Sequence, residues 1–199
     1  MKKDYVHICV VLDASGSMGH LTESTKRTFC EFIQSQQKEV GKTCFDLFQF
    51  ESSVKHLVQS ADLSQVSAEQ LMSDYRCSGT TAMNDAICTA IDHLGNVFAA
   101  MPEDERPEKV LVAILTDGEE NASREFTVQD VKKRIEHQQK VYSWDFMFLA
   151  ANQDAVLSGS RLGLQMQDCV NFQATALGIM AVSDQLYERA CMVRGRQVD

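Results

Sequence analysis

Three oxygen-bearing side chains, Asp13, Ser15 and Ser17, stand at alternate positions where the apolar run "VVLD" drops into "ASGSMG". On a loop that curves round a centre, oxygens at i, i+2 and i+4 converge, and Gly16 and Gly19 allow the tight backbone bend this needs. Hard oxygen donors carrying little charge suit Mg²⁺, or Mn²⁺ as its close substitute. Two further stretches offer the same chemistry. "VLVAILTDG" (110–118) repeats the pattern of an apolar run ending in an aspartate, Asp117, and "SGTTAMNDAI" (78–87) presents the hydroxyls of Thr80 and Thr81 just before a helical stripe. Taken alone, those threonines read equally well as helix N-caps.

These residues need elements to carry them. "YVHICVVLD" (5–13) is a β-rich run of the kind buried on both faces. Residues 21–40 follow with a helical stripe of Phe29, Phe32, Ile33 and Val40, ended by Gly41. "TCFDLFQF" and "VKHLVQS" flank "ESS", a connection short enough to join only antiparallel neighbours, so an edge strand is expected near 53–60. A short helix opened by Ser67 and Gln70 as a capping box comes next, then helices at about 83–101 and 127–140. The strand "WDFMFLAA", a short helix near 153–162, the strand "CVNFQA" and a last helix at about 175–194 complete the series. Strand alternating with helix throughout predicts βαβ units, hence a three-layer α/β fold with a mostly parallel six-stranded sheet, one antiparallel edge strand and helices on both faces. In such a sheet ligands bind at the carboxyl ends of the strands beside the reversal of strand order, where Asp13 and Asp117 fall.

Composition excludes several functions. The 199 residues carry 19 Lys+Arg against 28 Asp+Glu, a formal charge of −9 that repels phosphate backbones and anionic lipid. No apolar stretch approaches the roughly 20 residues of a membrane span, and the N-terminal apolar run ends in an aspartate rather than a cleavage site. A single cytoplasmic domain over 1–199 is the expectation. Seven cysteines without a C-x-x-C pair suggest small core residues rather than a disulfide framework or zinc ribbon.

"DASGS" (13–17), "SGTTAMNDAI" (78–87) and "LTDGEEN" (115–121), in that order and each at a strand end or helix start, resemble the metal-ion-dependent adhesion site of von Willebrand factor type A domains. The resemblance covers roughly residues 4–194. It implies a Rossmann-like fold and a metal held by Asp13, Ser15, Ser17, Thr81 and Asp117. The serines would bind directly, Asp13 close by or through water, and Asp117 directly or through water. Thr81 is selected over Thr80 because the family's threonine stands six positions before an apolar helix residue, here Ile87. The resemblance further implies a sixth metal position left for a carboxylate from a protein partner, within a multiprotein assembly that in some members includes an AAA+ ATPase. The function expected is therefore a non-enzymatic, divalent-cation-dependent interaction module.

Two rivals share the pattern. A Mg²⁺-dependent phosphotransferase of the haloacid dehalogenase kind needs a second aspartate where Ser15 stands and a late lysine, for which the chain offers no clear candidate. A structural subunit whose metal never engages a partner would keep the same residues. Elsewhere, Glu119 and Glu120 read as a solvated rim, Lys132, Lys133 and Arg134 as a solvated helix face, and His7, His56 and His93 as scattered polar groups rather than ligands.

Overall fold

In the computed structural model, which describes residues 1–152 and 154–196, the central strand is β1 (Lys2–Asp13), buried from Tyr5 onward. It pairs in parallel with β2 (Lys42–Phe50) on one side and β4 (Pro107–Thr116) on the other. Beyond β4 lie β5 (Asp145–Ala150) and β6 (Cys169–Asn171), both parallel. Beyond β2 lies β3 (Val54–Asp62), the antiparallel edge, so the sheet order is β3-β2-β1-β4-β5-β6. Strand order reverses between β1 and β4, the two strands that end at Asp13 and Thr116.

Period-2 alternation of a doubly buried strand feeds two core layers. Val6, Ile8, Val10 and Leu12 face α1 (Thr22–Gln37), α2 (Ala68–Ser73) and α6 (Ala176–Val193), meeting Phe29, Phe32, Met72 and Leu186. Cys9 and Val11 point the other way, into the layer of α3 (Met83–Ala100), α4 (Val128–Tyr142) and α5 (Ala155–Arg161), where Ile87, Ile91 and Ile135 pack. Cys9, Cys44, Cys88 and Cys191 are buried and every cysteine is free, as small core residues would be.

Boundaries differ from the sequence expectation chiefly in three places, besides β1 and β4 each beginning three residues early. The first helix stops at Gln37, and Val40 is 79% exposed rather than on the buried stripe. Gly41 then turns the chain at φ +103, against the Asp4 carbonyl. The sixth strand is only Cys169–Asn171, and the helix before it runs Ala155–Arg161 from an Asp154 cap; residue 153, where it was expected to start, lies outside the described residues. So do residues 197–199. Ser67 accepts a hydrogen bond from the Gln70 amide, as its place before α2 predicts.

Candidate metal centre

The three loops meet beyond the carboxyl ends of β1 and β4. Backbone hydrogen bonds lock the first to the second: Gly16 N donates to the Gly79 carbonyl (3.1 Å) and Ser78 N to that of Ala14 (2.8 Å). Gly79, at φ +70 beside Glu51 and Ser52, is a position where a side chain would be both strained and in collision. Thr81 is clamped to the third loop by its neighbour Asn121, whose Oδ1 accepts from Thr81 N (2.9 Å) and whose own amide donates to the Thr81 carbonyl (3.1 Å).

Each expected ligand lies at this junction. Asp13 is fully buried; its Oδ1 accepts from Ser15 N (2.7 Å) and its Oδ2 from Thr116 Oγ1 (2.6 Å). Tyr75, packed under the loops, donates its hydroxyl to the Asp13 carbonyl (2.5 Å). Ser17 Oγ donates to Asp117 Oδ1 (2.5 Å), leaving Ser15 Oγ to donate to Ser17 Oγ (3.0 Å). The Cβ position of Gly118 lies 3.6 Å from Ser17 Oγ and 3.7 Å from Thr81 Oγ1, so both hydroxyls flank one point beside that glycine. Thr80, by contrast, is exposed and turned to Ser52, with its hydroxyl 3.0 Å from Ser52 Oγ.

The donor set is one of hard oxygens, and one of them is conspicuous. Asp117 is only 2% exposed, yet its Oδ2 has no hydrogen-bond partner. A buried carboxylate oxygen left without a donor is costly, and a cation removes that cost. The residues present thus fit a divalent ion.

Burial pushes the Asp13 carboxyl above the ordinary aspartate range, and the Asp117 charge adds to the rise; bonds from Thr116 and Ser15 offset part of it. A raised carboxyl pKa means that its ionised form destabilises the metal-free fold at neutral pH, an effect that fades as pH falls through the folded value. Alanine at 13 would strip Ser15 N of its acceptor and leave Thr116 only the Gly118 carbonyl. Asparagine would keep an acceptor for Ser15 N and donate to Thr116 Oγ1, which can turn its own proton to the Gly118 carbonyl at 3.0 Å. Asp13→Asn in EDTA is therefore expected to raise the melting temperature. A calorimetric scan of both proteins checks it; a lower melting temperature in the variant would show that the ionised carboxylate holds the loops.

Supporting residues outside the expected set also emerge. Glu120 is no solvated rim: it accepts from the amides of Asn84, Ala122 and Ser123 and from the Ser123 hydroxyl. Asp85, in the first turn of α3, accepts from the amides of Arg124, Glu125 and Phe126. Both carboxylates fold the segment after Asp117 onto the start of α3, next to Thr81. Arg134 corrects another expectation, since it forms a two-pronged pair with Asp92 on α3 (2.8 and 2.9 Å) rather than a solvated face.

The family model of the von Willebrand factor type A domain matches residues 7–182. This chain belongs to that family. Among curated proteins, no sequence matches it. Solved structures share the fold of this type A domain at low identity. One is proximal thread matrix protein 1 from the mussel byssus with a zinc-occupied MIDAS motif (14% identity, TM-score 0.70), covering 96% of this chain and 49% of that one. Another is the PilB minor pilin from Streptococcus sanguinis (11%, TM-score 0.68; 97% and 62%). A third is the vWF domain of the type V pili tip protein Mfa5 from Porphyromonas gingivalis (10%, TM-score 0.68; 98% and 97%). This type A domain spans about half the length of the mussel protein. No helix among its described residues is long and apolar enough to cross a membrane.

Proposed function

We propose that this type A domain is a divalent-cation-dependent protein-interaction module, cytoplasmic, non-enzymatic and built as one domain over 1–199, in which Asp13, Ser15, Ser17, Thr81 and Asp117 hold Mg²⁺ or Mn²⁺. The observation that carries the reading is the unpartnered, buried Asp117 Oδ2 beside three hydroxyl-bearing ligands. When bound, such a cation, only partly neutralised by two carboxylates, would offer an open position to a carboxylate from a protein partner. Ser15, Ser17 and Thr81 contribute oxygen without charge, which leaves the site attractive to an anion. Asp13, held by Ser15 N and Thr116, anchors the first loop from below. The −9 charge of the whole chain opposes an acidic partner at long range, so association should quicken with modest salt while the short metal–carboxylate contact is little screened.

Aspartate- and glutamate-bearing peptides on an array, probed in Mg²⁺ and in EDTA, test this reading. Expected is capture in Mg²⁺, release by EDTA, and loss of capture when the peptide's aspartate is replaced by asparagine. Equal capture in the two buffers would contradict it.

A further inference from the structure

Asp46 and three histidines, side chains that the loop site does not use, converge on the β3–β2–β1 half of the sheet, beneath α3. Asp46 on β2 is fully buried, an uncommon place for a carboxylate. Its Oδ2 accepts from His7 Nε2 on β1 (2.7 Å) and from both the amide and the hydroxyl of Ser60 (3.0 and 3.1 Å). Its Oδ1 faces His56 Nε2 on β3 at 2.5 Å and His93 Nε2 on α3 at 3.6 Å. The edge strand is bent to make this possible. Register slips between Phe45↔Ala61 and Leu47↔Val58, so two residues of β3 oppose Asp46, and Ser60 takes the left-handed conformation (φ 44) that aims its donors at the carboxylate. The scattered histidines of the sequence are thus one cluster, about four strand residues or roughly 13 Å from the Asp13 end of the sheet.

One carboxylate oxygen is fully engaged, while the other points between two imidazole nitrogens. His93 Nε2 is a buried atom with no hydrogen-bond partner. The three facing atoms, Asp46 Oδ1, His56 Nε2 and His93 Nε2, lie within 4.8 Å of one another. His56 is held by stacking on Phe48 (3.9 Å between centroids), and both imidazoles are partly exposed, 16% and 31%, so the cluster lies near the surface.

We propose that Asp46, His56 and His93 form a second metal site, of the two-histidine, one-carboxylate type, whose fitting occupant is Zn²⁺. Zinc binds imidazole nitrogen at about 2.0–2.1 Å and carboxylate oxygen at about 2.0–2.2 Å, so tetrahedral ligand atoms stand roughly 3.3 Å apart. The Asp46–His93 pair, at 3.6 Å, is within about 0.3 Å of this spacing. The His56 ring need move back by only about 0.8 Å, carrying its proton on Nδ1 so that Nε2 can ligate. His7 is a positioning residue: it fixes the second carboxylate oxygen and so the orientation of the first. Nitrogen donors draw zinc in preference to Mg²⁺, which favours the all-oxygen loop site. The two sites should therefore sort their metals.

A cobalt titration of the whole protein, followed by zinc displacement, tests the site. Thr81→Val protein in excess Mg²⁺ is used, so that metal in the loops does not contribute. Expected is one Co²⁺ per chain with the visible bands of nitrogen ligation, displaced by one Zn²⁺. His56→Gln and His93→Gln should each weaken zinc by more than the roughly 10–100-fold that His7→Gln costs. Circular dichroism confirms that each variant is folded; His93, half-buried and at 31% the more exposed of the two proposed histidine ligands, is the one whose change the fold tolerates best. Zinc affinity unchanged in folded His93→Gln protein, or no zinc held by folded Thr81→Val protein, would overturn the proposal. Because Thr81→Val disables only the loop site, failure here leaves the interaction reading intact, and failure of that reading leaves this site intact.

Discussion

Asp46→Ala should cost the metal-free domain about 3–5 kcal/mol, the loss typical of removing one partner from a buried charged cluster. The substitution leaves the buried His7 Nε2 and the half-buried Ser60 amide and hydroxyl without their acceptor, and removes the oxygen that His56 Nε2 faces. It also relieves the reason for the left-handed Ser60, so the β3 edge should loosen first. Burial opposes ionisation of Asp46, but bonds and charge from His7 and His56 outweigh it and hold the carboxyl below the ordinary aspartate range. Its contribution is therefore complete above about pH 4 and lost only as pH falls through the lower folded value. His93 acts earlier. Burial, with the neighbouring His56 charge, depresses its pKa below 6.5, so the unfolded chain takes up a proton that the folded chain resists. Stability should decline as pH drops below about 6.5, and His93→Gln should flatten that decline. Urea melts in EDTA between about pH 7.5 and 2 measure both effects, that of His93 above about pH 4 and that of Asp46 below it. A loss under about 1 kcal/mol for Asp46→Ala would mean that the cluster contributes little to the fold.

Thr81→Val should weaken Mg²⁺ at the loop site by more than the roughly 10–100-fold that loss of an outer contact costs, while Thr80→Val changes it little. Valine keeps the shape of threonine and removes only the hydroxyl. Thr81 is 3% exposed and its amide and carbonyl are fixed by Asn121, so its backbone should not shift. Thr80 spends its hydroxyl on Ser52, away from the junction. Calorimetric titration with Mg²⁺ compares the two variants with the parent, and equal losses would put the metal elsewhere. Weak binding also sets a limit on stability: saturation at 100 times the dissociation constant adds only about 2.7 kcal/mol.

The fold was legible because its signals were strong and local. β-rich runs ending in Asp13 and before Asp117, and helical stripes such as Phe29, Phe32 and Ile33, each point to one element type, and the short "ESS" connection admits only an antiparallel edge. The helix end at Gln37 was less legible, because Val40 fits the stripe by spacing while standing in solvent. Asp13, Ser15, Ser17 and Asp117 stand out because they adjoin strand ends whose place in the sheet follows from the alternation, whereas Thr81 rather than Thr80 follows only from the resemblance to type A domains. The Asp46 cluster does not stand out. His7, His56 and His93 come from three elements, and only the register of β1, β2 and β3 with the bulge at Ser60 brings them together. Asp46 inside "TCFDLFQF" was the available signal: a carboxylate at a position whose neighbours are all apolar needs a partner. Glu120 and Asp85 were hidden for a similar reason, since acidic residues that accept backbone amides look like any solvated charge until the loop is folded.

The most direct measurement of the central claim, that the three loops hold a divalent cation, is anomalous diffraction from crystals of the protein grown with Mn²⁺ and acetate. A manganese peak is expected at about 2.1–2.2 Å from the hydroxyls of Ser15, Ser17 and Thr81, beside Asp117, with an acetate oxygen on its open side. Crystals containing Mn²⁺ with no anomalous peak between those three hydroxyls would contradict it.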